Sequence, residues 1–438
     1  MTIMPGYPYV RGSIPHYLPL QWTAYTHPEG QLYFHRNSEL QITTEAYLYS
    51  PEILVKVLYW AKTIEAMLEE KNIPISNALE LYLMIEDTGC AYYFVDHASQ
   101  SQFWLEQVQS DELGIPDVDS PSHLNIYLQH LYWCHIEHFP MHLGGLSIKC
   151  VDELLSVFTH ALTDQITSQT STFFYTQAEC TQFIKVIKLA RQSTADGHNV
   201  CVIARLWSQV CDNRFQTHYG QEASRLSRDQ AILYDSPQPS RISTVARYLT
   251  FNSSEVYLAK LNDLFVDRLL YFSQWQPFIR RSIQGWRRSF YTAIAIIMLH
   301  GFFFLFQCSP MLAVASASLS FASLFTSAIL VHRYERLESD DACANDVHEH
   351  LIAIHSEKYD FQFVALSWAL PSALQLWALG LVALNAVVAL CQIFGVRWAA
   401  YCGLSVIILL VWLLRTTDQT SWNVSSWLRR EKAEQAMV

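Results

Sequence analysis

The segment CHIEHFPMHLGG places four possible metal ligands close together in the chain: Cys134, His135, His138 and His142. On the helix that we predict here, His135 and His138 lie about one turn apart, so their imidazoles could approach each other. Zinc sites use histidines at such short spacings, but usually with further ligands from elsewhere in the chain. The order HIEH is not the HExxH of zinc proteases, and Pro140 ends the helix before His142. The alternative is a histidine-rich helix end whose imidazoles bind free carbonyl groups. We predict no bound metal, with His135, His138 and His142 as the candidate ligands.

Motifs for other catalytic chemistry are absent from the sequence. It contains no GxSxG elbow, no phosphate-binding GxxxxGK and no GxGxxG after a predicted strand. Only 14 of the 438 residues are glycine, which leaves few backbone positions able to cradle a cofactor. We therefore predict a protein that is not an enzyme and that needs no cofactor.

The composition indicates a membrane protein of a reducing compartment. Charged residues make up 16% of the chain, whereas soluble proteins contain roughly 25%. The net charge of -11 argues against a nucleic-acid partner, because phosphates attract clustered lysine and arginine. The ten cysteines stand singly, without a CxxC pair, which argues against a disulfide framework.

Two N-terminal regions predict strands joined by turns. WTAYTHPEGQLYFHR alternates apolar and polar residues on both sides of HPEG, which has turn chemistry. LELYLMIEDTGCAYYFVDHASQSQFWL repeats the scheme around its DTG turn. Both regions resemble the WW domain, a small three-stranded sheet that binds proline-rich peptides. The positions similar to the structural residues of that family are Leu18, Pro19, Trp22, Gly30, Tyr33, Phe34 and Phe94.

The peptide-binding groove of a WW domain requires an aromatic pair on neighbouring strands. In the second region, Tyr93, His97 and Trp104 match the groove positions of the family, so the resemblance implies that they bind peptide. The first region has Tyr47 and Leu48 where the family has its second tryptophan. The alternative is that Tyr93 and Trp104 form a stabilising cross-strand pair without a ligand.

Four apolar stretches without Asp, Glu, Lys or Arg follow Arg288 and predict transmembrane helices. Each is near or above the ~20 residues needed to cross the hydrocarbon core. Their approximate ranges are 289–306, 311–331, 363–390 and 399–414. Together they predict a C-terminal four-helix transmembrane bundle.

Basic residues on both sides of these stretches set the predicted orientation. The arginines concerned are Arg280, Arg281, Arg287 and Arg288 before the first stretch, and Arg429 and Arg430 after the last. Since an even number of crossings places both termini on one side, the positive-inside rule makes both termini cytoplasmic. The same arginines are candidates for contacts with anionic lipid headgroups, each worth about 1 kcal/mol near the surface.

Polar groups inside the apolar stretches favour helix packing over transport. His300 and Asn385 are more typical of bonds to a neighbouring helix than of an ion path. The second stretch repeats small residues at four-residue spacing, as in Ser316 and Ser320. Such a face packs closely against another helix, either within the chain or in a homo-oligomer, and pore lining is the alternative.

Helix-start signals are frequent in the middle of the chain. Ser50 and Ser120 each precede a proline, which combines a cap with a residue suited to the first turn. TQAE, starting at Thr176, is a capping box. Further helices are predicted at 151–167 and 198–212.

These signals predict a mainly α-helical protein with WW-like antiparallel β-hairpins at its N-terminus. The predicted segments are a WW-like hairpin segment at 1–50, a helix with the second WW-like hairpin at 51–119, a helical cytoplasmic domain at 120–288, the four transmembrane helices at 289–414 and a basic cytoplasmic tail at 415–438.

Nearly the full chain also resembles uncharacterised WW-type membrane proteins of mushroom-forming (agaricomycete) fungi. The resemblance rests on WTAYTHPEGQLYF, IEDTGCAYYFVDHASQSQFWL, HFPMHLGGL, FQTHYGQEASRLSRDQAILYD and the apolar stretches. We predict a membrane-tethered protein-interaction protein whose partners are the lipid bilayer and a proline-rich peptide or protein. The alternative is a small channel or lipid-handling protein whose cytoplasmic half regulates the bundle.

Overall fold

The chain is mostly helical, with a β-sheet near its N-terminus. The computed structural model describes residues 18–168, 170–233, 241–303, 309–338, 343–356 and 358–395, and isolated positions between 401 and 412. Two compact units divide the chain, Met1–Tyr234 and Asp235–Val438. Their boundary falls inside the segment 120–288 that the sequence predicts to be one helical domain.

Six strands of the N-terminal unit form a single sheet in the order β1-β2-β3-β4-β5-β6. Their bounds are β1 Trp22–Thr26, β2 Leu32–Arg36, β3 Gln41–Thr44, β4 Leu79–Ile85, β5 Cys90–Asp96 and β6 Ser101–Phe103. All neighbouring strands are antiparallel except β3 and β4, which are parallel. The two regions that resemble WW domains therefore share one continuous sheet.

Helix α1, Pro51–Glu70, makes the connection between β3 and β4. A parallel pair needs such a crossover, because a tight turn can only join antiparallel strands. The helix begins where the sequence predicts, with Ser50 at the cap position and proline in the first turn. Its buried side chains, among them Val57 and Ile64, pack against Phe34 and Phe94 from one face of the sheet.

The residues similar to WW structural positions lie on both faces of the sheet. Trp22, Phe34 and Phe94 are buried in the core on the α1 side, and Leu18 packs at its margin. Tyr33 is buried on the opposite face. The remaining two lie in turns: the Pro19 carbonyl accepts a 3.2 Å hydrogen bond from Trp22 N, and Gly30 has φ +102° between β1 and β2. That φ favours glycine because a Cβ would be strained there.

Four further α-helices lie among the described residues of the N-terminal unit. Their bounds are α2 Pro121–His138, α3 Ile148–Thr167, α4 Gln177–Ala190 and α5 Gly197–Gln216, with 3₁₀ turns at Asp111–Leu113 and Arg191–Ser193. The predicted caps form: the Ser120 hydroxyl accepts from His123 N at 3.1 Å, and Thr176 and Glu179 form the reciprocal capping box. Trp133 and Trp207 stack in the core between α2 and α5.

In its described part, the C-terminal unit consists of helices of different lengths and one short hairpin. Its elements are α6 Arg241–Leu249, α7 Ser253–Leu264, β7 Phe265–Val266, β8 Leu269–Leu270, α8 Phe272–Phe303, α9 Pro310–Glu338, α10 Ala344–Ile354 and α11 Gln362–Phe394. Trp275, Trp286 and Trp368 are buried together in its aromatic core. The Trp286 indole donates to the Trp368 carbonyl at 3.1 Å.

Within the described residues, two helices are long and apolar enough to cross a membrane, Pro310–Glu338 and Gln362–Ile393. They contain the second and third predicted stretches. The first stretch lies partly in α8, and its end falls outside the described residues, as does most of the fourth. The coarser prediction of apolar helices in the C-terminal half is thus confirmed for two of the four.

The arginines before the first stretch lie on the exposed surface of α8. Arg287 pairs with Glu335 at 2.9 Å, and Arg280 lies 3.7 Å from Glu338. These acidic partners come from the C-terminal end of α9. The predicted basic tail, with Arg429 and Arg430, lies outside the described residues.

Candidate functional site

A buried carboxylate lies at the centre of the N-terminal unit. Glu80, on β4, has a fully buried side chain. Strand alternation gives it the face opposite α1, since its neighbours Leu79 and Leu81 pack on the α1 side. Both faces of this sheet are covered, so the carboxylate has no access to bulk water.

Four imidazoles surround Glu80, brought by different elements. His35 comes from β2, His97 follows β5, His135 lies in the last turns of α2, and His142 lies in the loop after that helix. The Nε2 atoms of three of them approach the carboxylate oxygens: His97 at 2.9 Å, His135 at 3.3 Å and His142 at 3.3 Å.

His35 reaches the carboxylate through a threonine. Its Nδ1 lies 2.9 Å from Thr43 Oγ1, and the Thr43 hydroxyl donates to Glu80 Oε1. Because that hydroxyl proton is used, Oγ1 must accept from His35 Nδ1–H. The Nε2 atom of a neutral His35 then keeps its lone pair. The ring stacks on that of His142, with centroids 4.0 Å apart.

Three tyrosine hydroxyls contact the Nδ1 atoms of the other imidazoles. The pairs are Tyr33 with His142 at 3.3 Å, Tyr93 with His135 at 3.1 Å and Tyr132 with His97 at 3.4 Å. Burial raises the pKa of all three phenols, so each keeps its proton. A phenol that donates to Nδ1 leaves the proton of a neutral imidazole on Nε2, directed at Glu80.

Burial and neighbouring side chains shift the pKa values of Glu80 and His35 in this site. Burial alone would raise the pKa of the Glu80 carboxyl, but the adjacent His135 and His142 hold that pKa well below its usual value. Glu80 is therefore a carboxylate. Burial, together with repulsion by His142, lowers the pKa of His35 to about 3, so its imidazole is neutral. Ionised carboxylates and neutral imidazoles are the forms that bind metals.

One fully buried imidazole nitrogen of the cluster, His135 Nε2, lacks a hydrogen-bond partner. His135 Nε2 is buried and lies 3.3 Å from Glu80 Oε1, but the two atoms do not have hydrogen-bond geometry. Buried polar atoms are rarely left in this state. The hydrogen bonds within the cluster therefore do not satisfy His135 Nε2.

The structure separates the three histidines predicted as candidate ligands. His135 and His142 converge on Glu80, whereas His138 is exposed and its ring donates to the Cys134 carbonyl at 2.7 Å. His138 thus caps the helix end, as the alternative interpretation expected for the whole group. Pro140 ends α2, but the loop returns His142 to the site.

The predicted peptide-binding residues are divided between the cluster and its margin. The Tyr93 ring stacks on Tyr82 at 4.7 Å, and its hydroxyl contacts His135. His97 binds Glu80 with its ring partly exposed. Trp104, just after β6, is half-buried. Peptide binding by these residues stays a prediction.

Sequence reasoning missed His35, Thr43 and Glu80. One signal was present in the sequence of β4, LELYLMI. Its side chains on both faces of the strand are apolar or aromatic, with Glu80 as the exception. A strand of this kind is buried on both faces, and a buried carboxylate requires partners. Which residues supply those partners was not readable, since they come from four separate elements.

A cysteine–histidine pair lies elsewhere in α2. Cys134 Sγ is 3.6 Å from His130 Nε2. Burial raises the pKa of the Cys134 thiol to about 11, with a contribution from Glu137. The thiol is therefore protonated at neutral pH, which is the reverse of what a catalytic nucleophile needs.

No protein-family model, curated protein or solved structure matches the chain. The resemblances to WW domains and to fungal membrane proteins therefore rest on the residues quoted above and remain predictions.

Proposed function

We propose that this chain is a multi-span membrane protein whose N-terminal unit is a cytoplasmic protein-interaction module. One observation carries the membrane part of the proposal. Helix α9 buries Ser316, Ser320 and Ser323 completely, while Phe325 and Ile329 are 62% and 63% exposed. In water an amphipathic helix has the opposite arrangement. Against lipid, small polar residues favour helix contacts and large apolar residues face outward.

The limited burial of the two apolar helices also supports lipid contact. Only 28% of the apolar window of α9 and 17% of that of α11 are buried within the chain. Core helices of soluble proteins are mostly buried, and an exposed apolar surface of this kind marks an interaction surface. By analogy, the proposal extends to the first and fourth predicted stretches, which makes four crossings with both termini cytoplasmic.

The polar contacts between helices favour packing over a pore. Ser316 donates to the Ala378 carbonyl and Ser323 to the Pro371 carbonyl, both at 2.8 Å. His300 donates to the Ile296 carbonyl of its own helix. A channel or lipid-handling role therefore has less support. The small-residue face packs on α11 of the same chain, and homo-oligomer formation through it stays a prediction.

Alkaline carbonate extraction of native membranes tests the membrane proposal. We expect the full chain to stay in the pellet after ultracentrifugation. Phe325→Lys should impair insertion, because a lysine at the centre of a membrane helix costs about 2.5–3.5 kcal/mol. Tyr59→Lys, on the exposed surface of α1, is the matched control and should not. Release of the unmodified chain into the supernatant would contradict the proposal.

Labelling of Cys343 tests the orientation. This exposed cysteine precedes α10, between the two apolar helices. If both termini are cytoplasmic, this segment is cytoplasmic too. A membrane-impermeant maleimide added to sealed cells or organelles should then modify Cys343 only after the membrane is permeabilised. Mass spectrometry of the Cys343 peptide provides the measurement. Labelling from the outer face of sealed membranes would reverse the orientation.

Trp104 is the residue to change in a test of peptide binding. Tyr93 also contributes to the Glu80 cluster, so its replacement would mix two effects, whereas Trp104 lies at the margin. We expect Trp104→Ala to abolish capture of a proline-rich peptide by the full chain, with Tyr59→Ala as the control. Undiminished capture would assign the binding to another surface, and absence of capture by the unmodified chain would argue against a WW-like function.

A further inference from the structure

We propose that His35, Glu80, His135 and His142 bind one divalent transition-metal ion, with Zn²⁺ preferred. Ligand atoms of three of them, His35, Glu80 and His142, all lie within 4.8 Å of one another. The fourth, His135, contributes the buried Nε2 atom that has no hydrogen-bond partner. This inference does not depend on membrane insertion or on peptide binding.

The separations of the ligand atoms suit a tetrahedral ion. With bonds of about 2.0–2.1 Å, tetrahedral geometry separates ligand atoms by about 3.3 Å. His135 Nε2 lies 3.3 Å from Glu80 Oε1, and His142 Nε2 lies 3.3 Å from both carboxylate oxygens. These are long distances for hydrogen bonds but ordinary ones for two ligands of a common ion. To close around the ion, the stacked rings of His35 and His142 must turn apart, and His135, which lies outside the mutual 4.8 Å group, must move toward them.

The ligand chemistry selects the class of metal. Three imidazoles with one carboxylate suit zinc and neighbouring transition metals. Ca²⁺ and Mg²⁺ prefer oxygen ligands in larger number, and the site offers only Glu80. Four protein ligands also fill a tetrahedral shell, which is typical of a structural rather than a catalytic ion.

Binding requires a change of tautomer but no net loss of protons from neutral imidazoles. The single proton of His142 moves from Nε2 to Nδ1, where Tyr33 Oη now accepts instead of donating. The same exchange occurs between His135 and Tyr93. The Nδ1–H of His35 already bonds Thr43 Oγ1, so its Nε2 needs no change. The phenols thus fit both forms, because a hydroxyl can donate or accept.

Residues around the ligands would orient them. His97 donates to Glu80 Oε2 at 2.9 Å and so fixes the carboxylate. Tyr33 holds His142, and its own oxygen accepts from Met141 N at 2.9 Å. Partners of this kind typically contribute about 10–100-fold to metal affinity.

Metal analysis of the full chain purified in detergent tests the site. After incubation with Zn²⁺ and removal of free ion, elemental mass spectrometry should find about one zinc per chain, as expected for a single closed site. His142→Gln should lose it, whereas His138→Gln, four positions away and exposed, should keep it. Retention of zinc by His142→Gln, or less than a tenth of an equivalent in the unmodified chain, would overturn the proposal.

A second measurement does not depend on a ligand substitution that could prevent folding. Tyr33→Phe removes only a hydroxyl, and in competition with a chromophoric chelator it should weaken zinc affinity about 10–100-fold. Tyr132→Phe, whose partner His97 is not a ligand, should change it by less than threefold. Equal affinities in both variants would show that the ion is bound elsewhere. Co²⁺ added to the unmodified chain should give the intense visible bands of a tetrahedral site, and weak octahedral bands would also overturn the assignment.

Discussion

Among the described residues of the N-terminal unit, two groups of histidines surround a carboxylate, and they differ in the hydrogen-bond partners of their ring nitrogens. The first is the Glu80 cluster. The second contains Asp119, His123 and His218, whose ligand atoms also lie close together. There, His123 Nε2 donates to the Phe215 carbonyl at 2.9 Å, and its Nδ1 accepts from Asp119 N at 3.3 Å.

The second group is complete without a ligand. His218 Nδ1 lies 2.6 Å from Asp119 Oδ2, and the aspartate side chain is 51% exposed. Water can therefore solvate that carboxylate, whereas Glu80 is fully buried and depends on its neighbours. Similar residue types at similar distances thus give a satisfied structural contact in one place and a converging site in the other. Burial of the carboxylate is the difference that decides between them.

The largest expected contrast is in stability. Glu80→Gln replaces a carboxylate oxygen that accepts hydrogen bonds by an amide nitrogen that can only donate, and each buried polar group left unsatisfied costs about 1–3 kcal/mol. Asp119→Asn removes a half-exposed partner and should cost less than about 1 kcal/mol. Hydrogen exchange of the full chain in detergent, followed at β4 and β5 for the first variant and at the start of α2 for the second, measures the two opening free energies. Equal losses would remove the distinction between the groups.

A smaller difference in stability is expected between alanine substitutions at two glycines, one near each histidine group. Gly145 follows His142 and has φ +121°, and a Cβ there would lie 2.7 Å from both Ala195 Cα and the Thr194 carbonyl oxygen. Gly220 follows His218 with φ +73°, and a Cβ there would meet nothing within 4 Å. Gly220→Ala should lower the free energy of unfolding by about 1–2 kcal/mol, which is the cost of a left-handed backbone conformation for alanine.

Gly145→Ala should cost more than that, because backbone atoms must also move and His142 would move with its loop. Thermal unfolding of the two variants in detergent measures the difference. Zinc content should fall in Gly145→Ala and stay unchanged in Gly220→Ala. A smaller loss of stability in Gly145→Ala than in Gly220→Ala would show that the loop carrying His142 adapts freely.

The third prediction concerns reactivity rather than stability. Because burial raises the pKa of Cys134 to about 11, its thiolate fraction is very small at pH 7. It rises with pH, so the alkylation rate should increase about tenfold per pH unit up to that value. Cys343, which is exposed, should react first at pH 7. Mass spectrometry of the two peptides after iodoacetamide treatment checks this. A rate for Cys134 that levels off near pH 8 would mean that His130 activates the thiol after all.

Local sequence determined the starts of helices and the faces of strands. Helices α1, α2 and α4 begin after Ser50, Ser120 and Thr176 as predicted, because such signals involve atoms within one turn of helix. The side chains of Ser120 and Thr176 form caps, whereas that of Ser50 makes no capping hydrogen bond. The apolar character of α9 and α11 was equally readable, since it depends on composition over a continuous stretch. Helix boundaries were also close: the predicted 198–212 lies within α5, Gly197–Gln216.

Tertiary structure alone decided the parallel pairing of β3 with β4 and the position of Glu80 beneath four imidazoles. No local rule couples residues as distant in the chain as His35 and His142. The same packing turned His135 inward and left His138 in solvent, although one helical turn separates them. Contacts of this kind depend on the burial of whole faces, which only the assembled sheet and helices define.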